Sequence, residues 1–556
     1  MPVKQTSRSK GFRKSTPKVK TGCSTCKARR IKCDETRPNC LRCARFGRQC
    51  AGYESDKPAG EPKPLPEPES TETALVPIFI AAYPSKQLFE NEQEASYFRY
   101  YCDEAVSNLA GVFELPCWGR VILQASHDQD FIRHAVIAIG SFTKSLSTER
   151  TAVSQCSSPA ELMFPEGPRM DEDFALRHYS QFLNGSRKAL AKPSQGRRMA
   201  LIVCLLIICV EGLQWHHRSV VKHLISGINL LDEWTQQNKR PLLPDINPSE
   251  PDVMEDEIVQ QLRMLELEAS VLYNPKPREY HERLRKEGSE SVNNMPDTFS
   301  NTHEARTYLE LIMRRSHHFL GTVVPQKPSP STEAADPDTQ SLVADFNTFL
   351  TFGGAVQPLQ FEQERYAAEL RRWTLAFQSL FESGTPEQND FLSTQLLKIR
   401  SRVLGILLAG ELSTSEMIYD NHLSEFEEIL RLAKIFFAHP CADKVIPEGS
   451  YSSNAGLIFP LRLVADRSRS RSMRREAIGL LRSKTWREAS FWSTSTAQTS
   501  EWLMELEEEG VEGEHIPEWA RARLVKVEFD EGKELRRGCW DGTGDQGRQL
   551  GVGHRG

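Results

Sequence analysis

Six of the 13 cysteines of this 556-residue chain fall between positions 23 and 50, as Cys23, Cys26, Cys33, Cys40, Cys43 and Cys50, spaced C-x2-C-x6-C-x6-C-x2-C-x6-C. The second three repeat the first three at a constant offset of 17, which predicts two like halves packed about a pseudo-twofold axis. Two chemistries use such a set: three disulfides in an oxidising compartment, or thiolates around a soft metal in a reducing one. The first twenty residues are polar and basic and lack the apolar stretch of a secretory signal, which favours metal. Each C-x2-C step lets two sulfurs reach one tetrahedral Zn2+ at about 2.3 Å, and each x6 stretch leaves room for a short helix. Two zinc ions would need eight ligand positions from six sulfurs, so two cysteines must bridge. The pseudo-symmetry selects Cys23 and Cys40, the first of each half.

Charge is divided unevenly. Residues 1–50 hold 15 Lys and Arg against 2 Asp and Glu, a net of +13, whereas the remainder holds 55 against 73, a net of −18. A basic end on an acidic body suggests that the first fifty residues bind a polyanion, either nucleic acid or an anionic membrane surface. The longest apolar run, 199–210 (MALIVCLLIICV), has 12 residues where a bilayer span needs about 20. It is expected as a buried helix, with no membrane role.

The stretch GCSTCKARRIKCDETRPNCLRCARFGRQCAGY, residues 22–53, closely resembles the fungal Zn(2)-Cys(6) binuclear cluster DNA-binding domain: six cysteines, a basic run after the second, and the loop proline Pro38. The resemblance implies two Zn2+ per chain and a short helix between the second and third cysteines, presented to the major groove of double-stranded DNA. In this chain that segment is Lys27-Ala28-Arg29-Arg30-Ile31-Lys32, with four basic residues, against two in the matching segment 44–49. An arginine can donate two hydrogen bonds to O6 and N7 of guanine, which makes Arg29 and Arg30 the expected base contacts, in line with the family's CGG-type triplets. Lys27, Lys32 and Arg45 are expected on phosphates, setting register without reading sequence. Two Zn2+ and six thiolates leave about −2 on the centre, so nearby Lys and Arg also stabilise the cluster itself.

Before the cluster, Arg8, Lys10, Arg13, Lys14, Lys18 and Lys20 form a flexible basic arm, residues 1–21, suited to nuclear import and to sequence-independent DNA affinity. After it, residues 54–76 carry Pro58, Pro62, Pro64, Pro66 and Pro68, which exclude a helical zipper. A homodimer, if one forms, is therefore expected through the body. Residues 77–540 show helical periodicity throughout, as in Leu224, Ile228 and Leu231 or Leu370, Trp373, Phe377 and Leu380, with polar loops near 148–171, 236–256 and 322–342. Three segments, 132–140 (IRHAVIAIG), 200–206 (ALIVCLL) and 474–481 (RREAIGLL) followed by Trp486-Arg487-Glu488, resemble the helical fungal-specific regulatory region. The expected fold is mainly α: a small zinc-stapled cluster, a large all-helical regulatory domain, and a glycine-rich unstructured tail at 541–556.

The other motifs carry little chemistry. His216-His217 and His317-His318 lack the helix-face spacing of a zinc protease and are expected at the surface or half buried. The remaining seven cysteines are expected as buried thiols. Gly542-x-Gly-x-x-Gly547 is not expected as a dinucleotide site, since no hydrophobic strand is expected before it and the nine residues after it are too few for the helix and second strand of that motif. The arginine–serine tract 467–472 is expected as a solvated helix start, and Glu505, Glu507, Glu508 and Glu509 as an activation surface or a solvated face. With no nucleophile–base pair, phosphate loop or metal triad, no enzymatic activity is expected. The chain reads as a nuclear, DNA-binding regulator of RNA polymerase II transcription working with co-regulators, the rival being a zinc-stapled adaptor without DNA readout.

Overall fold

A computed structural model of the chain describes residues 21–53, 88–153, 170–192, 196–238, 253–270, 277–323, 344–345, 357–522, 524–529 and 535–540, apart from a few positions inside these ranges, Arg30, Arg48 and Gly52 among them. Nearly all of the expected basic arm and proline spacer, most of the three polar loops, and the glycine-rich tail with its Gly542–Gly547 motif lie outside the described residues. The chain folds as two units, Met1–Ser85 and Lys86–Gly556.

In the first unit two short helices, α1 (Ser24–Ala28) and α2 (Leu41–Arg45), pack around a core of Cys23, Cys26, Cys33, Cys40, Cys43 and Tyr53. Sulfur occupies the place that aliphatic side chains take in an ordinary core.

The second unit is mainly helical, as its periodicity predicts. Helices Asp130–Val153 and Met170–Leu190 pack on one another, as do Arg197–Leu213 and His217–Asn238, burying Trp118, Ile139, Phe182, Leu206 and Leu231 completely. The apolar run is the buried helix expected of it: every residue from Leu201 to Val210 is buried. No described helix is long and apolar enough to cross a membrane. Close packing needs a glycine at one point. A Cβ on Gly140, in helix Asp130–Val153, would fall 2.2 Å from the carbonyl oxygen of Tyr97 on helix Glu92–Tyr100, so any larger residue at position 140 would push these two helices apart.

Two further cores complete the unit. Helix Thr302–Val323 packs on helix Gln357–Ser383 through Tyr366, Trp373 and Phe377, and the Trp373 indole donates to the Ala305 carbonyl at 2.7 Å. Residues 391–504 form the last core around Phe426, Leu461 and Trp486. Here the Trp486-Arg487-Glu488 segment has a definite task. The Glu488 carboxylate, 3% exposed, accepts the N–H groups of Gly456, Leu457 and Ile458 at 2.8–3.0 Å and the Trp486 indole N–H at 2.8 Å. It thereby satisfies the otherwise orphaned donors at the start of helix Ile458–Arg467.

The body is not purely helical. Ala344–Asp345, Leu524–Phe529 and Leu535–Trp540 form one three-stranded sheet, and Tyr451–Ser452, Arg487–Glu488 and Phe491–Trp492 form a second. The alternation in LVKVEF, 524–529, is a strand signal that the surrounding helical pattern obscured.

Three expectations about polar residues are corrected. The arginine–serine tract is not a solvated helix start, because Arg467, Ser468, Arg469 and Ser470 are at most 5% exposed. Glu507 is not part of an activation surface either. It is 1% exposed, accepts from Arg469 at 2.8 and 2.9 Å and from Arg474 at 2.6 Å, and takes the backbone N–H of Ala522 at 2.7 Å. Arg467 and Arg469 both reach Glu416, at 3.0 and 2.8 Å. Burial of these charges is tolerable because carboxylates from distant segments meet every arginine. Among the cysteines outside the cluster, Cys204 and Cys209 are buried as expected, but Cys102 and Cys441 are exposed.

The third correction is to the histidines. His216 is exposed and bonded to Glu211 at 2.8 Å, but His317 and His318 are buried at 7% and 2% exposure. The Nδ1 atoms of His318 and His281 are 3.0 Å apart, a contact that requires at least one neutral ring. Burial, reinforced by His281 and Arg314, pushes His317 down to about 3 and His318 well below its ordinary range. His178, whose Nδ1 lies 3.0 Å from that of His134, is likewise pushed down by burial to about 4. The unfolded chain therefore takes up protons before the folded one does. Stability should be full above about pH 6.5 and fall as pH drops toward 3, by at most about 1.4 kcal/mol per pH unit for each such histidine. Urea midpoints measured from about pH 7.5 down to 5 should decline; a flat profile would contradict this account.

Candidate zinc centre and basic face

Each half of the cluster starts the same way. Cys23 and Cys40 sit in extended backbone, with φ, ψ of −61°, 153° and −71°, 139°, immediately before α1 and α2. The Cys23 sulfur accepts the Cys26 N–H at 3.4 Å, and the Cys40 sulfur accepts the Cys43 N–H at 3.3 Å. These are N-cap contacts in which sulfur replaces the usual oxygen. The 17-residue repeat is thus a repeated helix start, and each C-x2-C step brings two sulfurs together across one turn.

The sulfurs meet between the halves. Cys23 lies 3.6 Å from Cys40 and 3.9 Å from Cys43, and Cys26 lies 3.7 Å from Cys40 and 3.9 Å from Cys43. A tetrahedron of sulfurs around one Zn2+ with bonds of about 2.3 Å has edges of about 3.8 Å, so this buried set has the dimensions of a zinc site. Cys33 is buried and Cys50 half buried beside it. Burial pushes the Cys23 thiol up to about 12, and it raises Cys26 and Cys40 as well. Burial acts on Cys33 too, but the N–H groups of Cys23 and Glu35 and the Tyr53 hydroxyl outweigh it and bring that thiol down to about 7. A cluster of thiols held this close, away from solvent, becomes a set of thiolates only with a soft cation to share the charge.

Residues outside the cysteine pattern complete the unit. The Asp34 carboxylate accepts the N–H groups of Leu41 and Arg42 at 3.0 and 2.6 Å, tying the loop after Cys33 to the start of α2. The Thr36 hydroxyl, together with these backbone donors, holds its carboxyl down at about 2. Tyr53 donates to the Thr36 carbonyl at 3.0 Å and lies 3.8 Å from the Cys33 sulfur. Neither was singled out from sequence, although an acid adjoining a cysteine in so basic a segment was a visible anomaly.

Lys27, Arg29, Lys32 and Arg45 are all exposed, and Arg30 lies outside the described residues. Their framework differs from the expectation in one respect. α1 begins at Ser24 and ends at Ala28, with Arg29 as its C-cap, so of the 27–32 segment only Lys27 and Ala28 are helical; Lys32 follows in an irregular stretch. The cause is the Cys23 cap, which sets the helix start one turn earlier than the cysteine spacing suggested. The Arg29 guanidinium lies 5.3 Å above the ring of Phe46, itself 60% exposed. Arg42, on α2, is a further exposed cation that the pattern did not bring forward.

A sulfur cage with an exposed basic rim defines a zinc-stapled, polyanion-facing module. Residues 21–59, within the first unit, match the family described as the Fungal Zn(2)-Cys(6) binuclear cluster domain. The chain is 26% identical over 245 residues to the aspercryptin biosynthesis cluster-specific transcription regulator of Emericella nidulans, covering 41% of this chain and 37% of that protein. It is 25% identical over 239 residues to a transcription regulator of Purpureocillium lilacinum, covering 39% and 50%. These alignments are far longer than the cluster and so include parts of the helical body, yet the chain spans only half or less of each relative's length. The lysine biosynthesis regulatory protein of Saccharomyces cerevisiae is 64% identical over 31 residues, 6% of this chain and 4% of that one. No solved structure matches the chain.

Proposed function

We propose that this chain is a zinc-dependent, sequence-specific DNA-binding regulator of RNA polymerase II transcription, acting in the nucleus of a fungus and serving one pathway, such as secondary metabolism or nutrient use. The observation that carries the reading is the buried four-sulfur group flanked by exposed Lys27, Arg29, Lys32 and Arg45 in a segment of the binuclear cluster family. The relatives named as transcription regulators support it, and they also support binding in place of turnover as the mode of action. Cys23, Cys26, Cys33, Cys40, Cys43 and Cys50 would hold two Zn2+, with Cys23 and Cys40, whose sulfurs lie closer than those of the other three pairs between the halves given above, as the bridging pair. The metal supplies the fold of the module and takes no part in a reaction.

In this reading residues 1–21 are a basic arm, 22–53 the DNA-binding module, 54–76 a spacer and 77–540 the regulatory body that meets co-regulators, with 541–556 as a tail. Arg29 and Arg30 read guanines of a CGG-type triplet, while Lys27, Lys32 and Arg45 neutralise phosphates. An adaptor that binds only proteins would have no use for that division of labour. Arg29→Ala should lose about 1–3 kcal/mol of preference for its guanine, whereas Lys32→Ala should weaken all sequences alike and lower the salt slope by about 1. Titrations of cognate and scrambled duplexes at several salt concentrations measure both. Equal losses on the two duplexes for Arg29→Ala would remove it from base readout, and salt-insensitive binding by the intact chain would favour the adaptor.

A further inference from the structure

The repeat in the cysteine cluster sets two unlike residues at one position. α1 has Arg29 as its C-cap and α2 has Phe46, and these two are separated by the same 17 residues as the paired cysteines. Gly47 follows in the left-handed region at φ 62°, which stops α2 directly after Phe46. The backbone thus fixes where Phe46 stands, yet packing does not require its ring. Phe46 is 60% exposed, whereas Tyr53, Ile31 and Cys50 are the side chains that close around the other cysteines.

What the ring touches is Arg29. The guanidinium carbon lies 5.3 Å from the ring centroid, inside the about 6 Å over which the negative face of an aromatic ring attracts a cation. Among the described residues the Arg29 guanidinium has no hydrogen-bond acceptor and no acidic partner. That combination suits base readout. A carboxylate would steady the arginine by taking the same N–H groups that O6 and N7 of guanine require. A ring holds the cation through its quadrupole and takes none of them. The side chain then has less freedom left to lose when it binds.

We infer, on the reading of Arg29 as a base contact proposed above, that Phe46 is its positioning residue. The second half of the cluster supplies the platform on which the arginine of the first half is ordered before DNA arrives. Two like helix ends thereby divide one task, with a cation at one copy of the position and a ring at the other. Sequence preference in this module then depends on both halves, although only one of them supplies the base contact.

Binding titrations of the full chain on a duplex with a CGG triplet, and on the same duplex with each guanine replaced in turn, test this role. Phe46→Ala should lower the preference for the guanine affected by Arg29→Ala, by about twofold to fivefold. Its salt slope and zinc content should stay at wild-type values. Phe46→Tyr, which keeps a ring, should keep the preference, and Phe46→Leu, which keeps apolar bulk alone, should not. In an Arg29→Ala background Phe46→Ala should add nothing, because the side chain it positions is gone. Full preference in Phe46→Ala beside a loss in Arg29→Ala would end the positioning role and leave the base contact standing. Zinc loss in Phe46→Ala, or a Phe46→Tyr chain no better than Phe46→Ala, would make the ring structural and overturn the inference. An equal loss on every duplex, or a further loss in the Arg29→Ala background, would overturn it by making Phe46 a DNA contact in its own right. If Arg29→Ala itself keeps the full preference, the base contact fails and the positioning role with it.

Discussion

Cys40→Ala should release nearly all zinc from the full chain and abolish its DNA binding, because a bridging sulfur serves both metal positions and metal binding is the folding energy of so small a unit, on the order of 10–16 kcal/mol for structural zinc. The sulfur it removes lies 3.6 Å from Cys23 and 3.7 Å from Cys26 and also caps α2, so the second half would lose its helix start together with its ligand. Metal analysis of the purified chain is the measurement. Wild type should carry two zinc ions per chain and the variant almost none. One ion per wild-type chain would end the bridging arrangement, since Cys23, Cys26, Cys40 and Cys43 by themselves suffice for a single tetrahedral site.

Glu507→Ala should destabilise the helical body by about 3–5 kcal/mol, the cost of leaving buried charges without their partner. Arg469 and Arg474 are essentially unexposed and both depend on this carboxylate. Arg469 retains Glu416, whereas the Arg474 guanidinium keeps, among the described residues, its bond to the Ala465 carbonyl at 2.9 Å. Against a total stability of roughly 5–15 kcal/mol, a loss of that size leaves a marginal body. The comparison is Glu428→Ala, which breaks the exposed Arg431 pair at 2.7 Å and should cost about 0–1 kcal/mol. Denaturant unfolding of the two variants side by side measures the difference, and equal losses would show that the buried network contributes nothing beyond a surface pair.

The resemblance of 474–481 and Trp486-Arg487-Glu488 to a regulatory region acquires physical content in these networks. Arg474 ends on Glu507 and Glu488 caps helix Ile458–Arg467, so both are scaffold residues. The acidic cluster near the end divides in the same way: Glu505 and Glu509 are exposed, whereas Glu507 is consumed by the core.

Metal chemistry and helical class were legible in the sequence because they rest on local spacing. Two cysteines three residues apart meet across one helical turn wherever that turn is placed, and an apolar residue every three or four positions has one face to bury whatever covers it. The position of α1 was not legible, since a cysteine acting as a cap looks the same in sequence as a cysteine acting only as a ligand. Neither was the fate of the charged residues. Arg469 is 38 residues from Glu507 and 53 from Glu416, and His281 is 37 from His318; a serine-rich arginine tract or a histidine pair is soluble by composition until folding supplies a partner. Burial of a charge is a property of the pair, costly for one group and tolerable for two. Local pattern therefore determined how the cysteines are brought together and what the body is made of, and only the tertiary contacts decided which of the described charges remain at the surface.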